Sequence, residues 1–258
     1  MIRRLLARLL WLLAWLLAWL LAGLVAVNGA RAADGAAPVQ LPSQVQVPDT
    51  LAQRLQPCMA CHGAGGRASR EGYLPRIAGK PQAYLYQQLL NFRDGRRANP
   101  AMASLLAYQT DAYLREIAGH FAALDLPQSP PPSQGAQGVP AAVLARGQAL
   151  VWQGDATRKL PACAACHGQA LTGTQQAVPS LLGLPRDYLI GQLGAWQTGS
   201  RRALLPDCMA EISRKLAADE ISAIATWLAS QPVAVTPAAA TTADRASGLR
   251  CGSIEAAR

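Results

Sequence analysis

Two copies of one pentapeptide pattern constrain this chain more than anything else in it. Cys58-Met59-Ala60-Cys61-His62 and Cys163-Ala164-Ala165-Cys166-His167 use four of the six cysteines and two of the three histidines. The downstream segments repeat as well. PRIAGKPQAYLYQQLLNFRDGRR (75–97) aligns with PSLLGLPRDYLIGQLGAWQTGSR (179–201), sharing Tyr84/Tyr188, Leu85/Leu189, Gln88/Gln192 and Gly95/Gly199 among other identities. Met102 corresponds to Met209, and Ile117-Ala118 to Ile224-Ala225. Features in the same order at a nearly constant offset mean a duplicated domain.

The 127–140 segment, PQSPPPSQGAQGVP, has almost no apolar surface to bury and reads as a linker between copies spanning 44–126 and 141–231. Residues 232–258 read as a disordered tail. Within each copy the pattern is helical, with no strand-like alternation. A short helix leads into each cysteine pair, Pro81 and Pro185 open a second helix, and Thr110 or Asp111 caps a third in the first copy. Leu114, Ile117 and Phe121 point inward there, as do Ile221, Ile224, Trp227 and Leu228 in the second. The expected fold class is all-α. Three helices in so short a repeat make a thin core, and such domains usually need a covalent or cofactor staple.

Cys-x-x-Cys-His supplies that staple as a c-type haem attachment motif. Two thiols one helical turn apart can each add to a porphyrin vinyl group, and the adjacent histidine then lies under the iron. A zinc site built from four cysteines needs its pairs closer together, and a thioredoxin-like pair needs a strand before it. With histidine on one face, a thioether is the expected ligand on the other. Met59 lies inside the Cys58–Cys61 loop and cannot reach the far face. Met102 and Met209 occupy matched places, expected on loops between the second and third helices. The expected iron ligands are therefore His62 with Met102 and His167 with Met209. The expected covalent anchors are Cys58, Cys61, Cys163 and Cys166. His120, aligned with Trp227, reads as a packing residue.

These residues carry a family likeness. PCMACHG and PACAACHG, the shared P-x-[IL]-x-G-x-P-x-x-Y-L-x-x-Q-L segment, and the stretches ending at Met102 and Met209 resemble the dihaem cytochrome c4 family over about residues 45–231. The resemblance implies two tandem class I cytochrome c domains, each with one covalently attached haem c. It implies that the carbonyls of Pro75 and Pro179 accept a hydrogen bond from the ligand histidines. It also implies electron transfer from a cytochrome bc complex to a haem–copper oxidase. Cys208 and Cys251 depart from the pattern. Cys208 reads first as a small packing residue, with a disulfide to Cys251 or iron ligation as alternatives.

The leader fixes the compartment. Arg3, Arg4 and Arg8 precede an uncharged run from Leu9 to Val27, followed by Ala30-Arg31-Ala32. This pattern reads as an export signal over 1–32, with cleavage after Ala32 favoured over an uncleaved anchor. Both alternatives put the body in the periplasm. The net charge of +9 less the four leader arginines leaves +5, with no basic stripe carrying interleaved aromatics, so nucleic acid is excluded as a partner. The expected function is electron carriage and not catalysis. The alternatives are an electron-accepting subunit of a periplasmic dehydrogenase and, further off, a dihaem enzyme such as a thiosulfate-oxidising cytochrome. Protein purified from cells competent in cytochrome maturation should outweigh its polypeptide by two haem groups, measured by intact mass; a mass equal to the polypeptide would refute the haem reading.

Overall fold

The structure is a computed structural model that describes residues 11, 13–18, 48–68, 73–127, 138–174, 177–233 and 249–256. The chain divides into two units, Met1–Pro48 and Asp49–Arg258. In the first unit residues 11 and 13–18 are helical and expose Trp11, Trp15, Leu16 and Leu17. The leader and linker expectations otherwise fall outside the described residues. Among the described residues no helix is long and apolar enough to cross a membrane.

The second unit contains both repeats and is helical; its described residues form no strand beyond two isolated bridges. The first repeat runs α1 (Leu51–Arg54), α2 (Gln56–His62), α3 (Gln82–Arg93), α4 (Pro100–Leu106) and α5 (Asp111–Ala122). The second runs α6 (Ala141–Trp152), α7 (Ala164–His167), α8 (Arg186–Thr198), α9 (Cys208–Arg214) and α10 (Ala218–Ala229), with α11 (Gly252–Glu255) beyond it. Among the described residues each repeat thus has five helices where its apolar periodicity suggests three. α4 and α9 are short, and each carries the matched methionine.

Local chemistry explains the long helices. Thr110 caps α5, accepting from Tyr113 N at 3.2 Å, and Asp111 favours the positive end of the helix dipole. Leu114, Ile117, Ala118 and Phe121 then form one buried stripe. Pro81 and Pro185 are the N-cap residues of α3 and α8, one position before the first turn. In the second repeat α6 crosses α10 so closely that a side chain at Gly147 would overlap the Ala223 carbonyl. Only glycine lets these backbones meet, and Leu150, Val151, Ile221, Ile224, Ala225 and Leu228 close the core around the crossing. His120 is half-buried and stacks edge-on against Phe121, a packing role.

One acid locks this second core. Glu220 on α10 is 8% exposed, accepts from Arg158 through both oxygens at 2.8 and 2.9 Å, and also pairs with Arg146. It further accepts from Ala217 N at 3.0 Å, capping its own helix. The Arg158 hydrogen bonds hold its carboxyl far below the ordinary 4.5, at about 2, against the opposing push of burial.

The repeats meet through a pseudo-twofold polar contact. Arg97 and Arg201 form an antiparallel bridge, flanked by Ala98 N donating to Ser200 O (2.7 Å) and Arg202 N donating to Arg96 O (2.6 Å). Each guanidinium donates to the glutamine of its own repeat and to that of the other. Arg97 reaches Gln88 at 2.9 Å and Gln192 at 2.7 Å; Arg201 reaches Gln192 at 2.7 Å and Gln88 at 3.1 Å. Arg97 lies over the Phe92 ring at 4.5 Å and Arg201 over Trp196 at 3.8 Å. The duplicated residues Gln88/Gln192 and Phe92/Trp196 thus build both halves of one self-complementary surface.

Two variants test these contacts. Gln192→Leu removes the acceptor shared by two guanidiniums and should cost about 2 kcal/mol in chemical denaturation. Glu220→Gln should cost a similar amount, about 2 kcal/mol, at neutral pH. Because the folded carboxyl titrates at about 2 and the unfolded one near 4.5, the wild-type advantage should be complete above pH 4.5 and vanish as pH falls toward 2.

Candidate haem sites

Each pentapeptide is held at the end of a helix. Cys58 and Cys61 lie three residues apart on α2 with His62 closing the turn, so all three share a face. In the second repeat Cys163 is the N-cap of α7, whose last residue is His167. Gly63 and Gly168 follow the histidines with φ of 74° and 83°. A side chain at Gly63 would also overlap the Ala68 carbonyl oxygen, so the chain can turn back only through glycine. The returning segments close identically, with Ala68 N donating to His62 O at 2.8 Å and Gly173 N to His167 O at 2.9 Å.

The turn delivers a carbonyl to each imidazole. His62 Nδ1 lies 2.8 Å from Pro75 O, and His167 Nδ1 lies 2.8 Å from Pro179 O. A carbonyl can only accept, so Nδ1 carries the proton and Nε2 keeps its lone pair. Both rings are buried, at 9% and 8% exposure. Burial lowers both imidazole pKa values, opposed in each case by the proline carbonyl bond; the Arg97 charge lowers that of His62 further. Each ring is therefore neutral with one nitrogen free, the form a metal needs. The hydrogen bonds implied by the family likeness are present in both repeats.

The four motif cysteines are not paired with one another. Burial pushes the Cys58 thiol up and drives that of Cys163 to about 12. Such thiols are protonated and poor nucleophiles in exchange, which argues against a thioredoxin-like role. Among the described residues no group of three or more His, Cys, Asp or Glu converges as a metal-binding set. An iron held by one protein nitrogen and one thioether, within a porphyrin, needs no such set.

The methionines sit on helices and not on the expected loops. Asn99 caps α4, accepting from Met102 N at 3.0 Å, and Pro100 fits the first turn where no N–H is needed. Asp207 caps α9, accepting from Ala210 N at 3.0 Å. Short polar residues before each methionine therefore nucleate a turn that periodicity alone does not reveal. Met102 packs against the first core together with Cys58, Leu55 and Leu85. Met209 is half-buried and, among the described residues, is not part of the second core cluster.

Cys208 corrects the packing reading: it forms a disulfide with Cys251, with Cα atoms 5.3 Å apart. Its sulfur is committed, so it offers no thiolate to an iron. The disordered-tail expectation also fails for 249–256. Cys251 is 6% exposed, α11 follows it, and Gly252 N donates to Pro206 O at 3.0 Å. Residues 249–256 are ordered here because a covalent bond ties them down.

A haem also brings carboxylates, and the repeat contact suits them. Arg201 is 5% exposed, and among the described residues no carboxylate pairs with it or with Arg97. Their protein acceptors are neutral amides and phenols. Burial would push the Tyr84 phenol up, but Arg201 and Arg97 outweigh it and pull it down, as expected beside excess positive charge. A buried cation beside a half-buried one, with no acid between them, calls for an anion. Neutral histidines with a free nitrogen, cysteines one turn apart that form no disulfide with each other and an uncompensated arginine pair all fit haem c. The arginine pair escapes a motif search; its signal was a set of polar identities surviving inside the duplicated apolar helix.

Known proteins bear this out. No family model matches the chain. It is 34% identical over 182 residues to the thiosulfate dehydrogenase electron acceptor of Thiomonas intermedia (strain K12), covering 70% of this chain and 82% of that protein. It is 30% identical over 173 residues to cytochrome c4 of Pseudomonas aeruginosa, covering 66% of this chain and 82% of that protein. The solved cytochrome c4 of Acidithiobacillus ferrooxidans superposes with a TM-score of 0.54 at 29% identity, covering 69% of this chain and 99% of that one. With the duplicated helical repeats and their matched histidine sites, these likenesses lead to one conclusion: the chain belongs to the dihaem cytochrome c4 family, as an electron-transfer protein of two class I cytochrome c repeats carrying two covalently bound haem c groups.

Proposed function

We propose that this protein is the periplasmic electron acceptor of a thiosulfate-oxidising dehydrogenase and performs no substrate chemistry of its own. The relative named as such an acceptor is more similar to this chain than the Pseudomonas aeruginosa cytochrome c4, at 34% against 30% identity. That difference carries the choice of donor. The second reading, carriage from a cytochrome bc complex to a haem–copper oxidase, shares every residue role and differs only in partner.

Each haem, when bound, supplies a one-electron iron couple. Cys58 and Cys61 would hold one porphyrin, Cys163 and Cys166 the other. His62 and His167, their rings oriented by the Pro75 and Pro179 carbonyls, would supply the nitrogen ligands to the irons. Met102 and Met209 would supply the thioethers. Such a ligand pair raises the potential and leaves no position for a substrate. Arg97 and Arg201, placed where the repeats spanning 44–126 and 141–231 meet, would hold haem carboxylates, and positive charge left uncompensated there would favour the less positive, reduced iron. The disulfide that occupies Cys208 supports carriage over catalysis, because Cys208 then offers no thiolate beside Met209. An export signal over 1–32 agrees with a disulfide-forming compartment.

Thiosulfate mixed with the purified holoprotein and a thiosulfate dehydrogenase should reduce both haems within the mixing experiment, and thiosulfate alone should not; turnover without the dehydrogenase would make the protein an enzyme. Met102→Ala and Met209→Ala should each abolish the methionine–iron charge-transfer band of one haem and lower its potential in a redox titration. A variant that keeps both bands would remove that methionine from the ligand set.

A further inference from the structure

The two repeats hold their methionines differently. Met102 follows Arg97 by five residues, and the Asn99 cap grips Met102 N itself. Met209 follows Arg201 by eight residues. The Asp207 cap grips Ala210 N and Ala203 N, at 3.0 and 2.7 Å, leaving Met209 between its anchor points. Met102 is the third residue of α4 and Met209 the second of α9. Relative to their caps they therefore differ by one helical position, about 100° around the axis. Met102 leans on the core of its repeat and Met209 does not.

The longer second segment has a restraint the first lacks. Cys208, next to Met209, is bonded to the buried Cys251 across a sequence separation of 43. The backbone at Gly252 sits directly on the segment before the methionine. Its N–H donates to Pro206 O at 3.0 Å, and a side chain there would overlap the Leu205 carbonyl. The tail is thus clamped onto the 204–208 stretch at two adjacent points, one covalent.

We propose that the Cys208–Cys251 bridge is a positioning device for Met209, holding the first turn of α9 so that the thioether stays on the second iron. The inference rests on Met209 being the ligand. A short connection confines Met102; a cross-link performs that task where three extra residues would otherwise let Met209 swing away. The bridge stands outside the ligand set, as orienting groups around a metal commonly do. Its effect is confined to the second haem, and the first serves as an internal reference.

The test uses full-length holoprotein. Wild type should show no alkylatable thiol; two free thiols would overturn the proposal. In the Cys208→Ser/Cys251→Ser double variant, imidazole should displace the methionine at the second haem at roughly tenfold to a hundredfold lower concentration. The second potential should fall while the first stays put. Unchanged imidazole affinity and potentials, even alongside a lower melting temperature, would make the bridge merely structural and overturn the proposal. If the double variant does not mature, wild type reduced with a phosphine and alkylated, its haems then reoxidised with ferricyanide, gives the same readouts. Met209→Ala separates the two failures. If it loses the second charge-transfer band while the bridge variant matches wild type, only the positioning role falls. If it keeps the band, the ligand assignment falls and takes the positioning role with it.

Discussion

The hydrogen bond from each motif imidazole to a proline carbonyl organises everything around it. Those contacts, at 2.8 Å in both repeats, decide which ring nitrogen is available. They also join the motif helix to the chain that leads into the next long helix, so the histidine cannot rotate without disturbing the fold. Gly63 and Gly168 are needed because this carbonyl must return within about a dozen residues, through a left-handed turn that other residues resist. Burial of the ring then keeps it neutral, and a neutral ring with a fixed tautomer is a ready ligand.

Duplication gives the molecule more than two copies of a site. Because both repeats present an arginine, a glutamine and an aromatic ring at matched positions, they can face one another and share hydrogen bonds across a pseudo-twofold axis. The concentrated positive charge would be unfavourable in a bare protein and is suited to anionic porphyrin edges. The same contact brings two redox centres into one body, which a single repeat cannot do. Symmetry is broken elsewhere: among the described residues only the second repeat has a buried acid clamped like Glu220 and a bridge like Cys208–Cys251. Such differences give two chemically identical cofactors different surroundings, and surroundings set the potential.

Much of the fold was legible because its signals are local or repeated. Helices α5 and α10 announce themselves through apolar spacing, and α5 also through Thr110 at its start. The short helices α4 and α9 were not legible. Each is only seven residues long, too short for periodicity to register, and each depends on an Asn or Asp cap. The tail misled for a related reason. Composition measures how much apolar surface a segment can bury and says nothing of one covalent bond to Cys208, which is enough to order 249–256.

The sequence by itself determined the chemistry of the site, since Cys-x-x-Cys-His is contiguous and one helical turn suffices to bring its thiols and imidazole together. It also determined that there are two such sites, through the repeated order of features. Tertiary structure alone decided that Arg97 and Arg201 share Gln88 and Gln192, that Cys208 takes Cys251 over the alternatives, and that Met209 is gripped from outside its own core. The contacts between repeats and the bridge join residues 43 to 113 positions apart. Their existence depends on how intervening loops close, and no local pattern of side chains encodes that geometry.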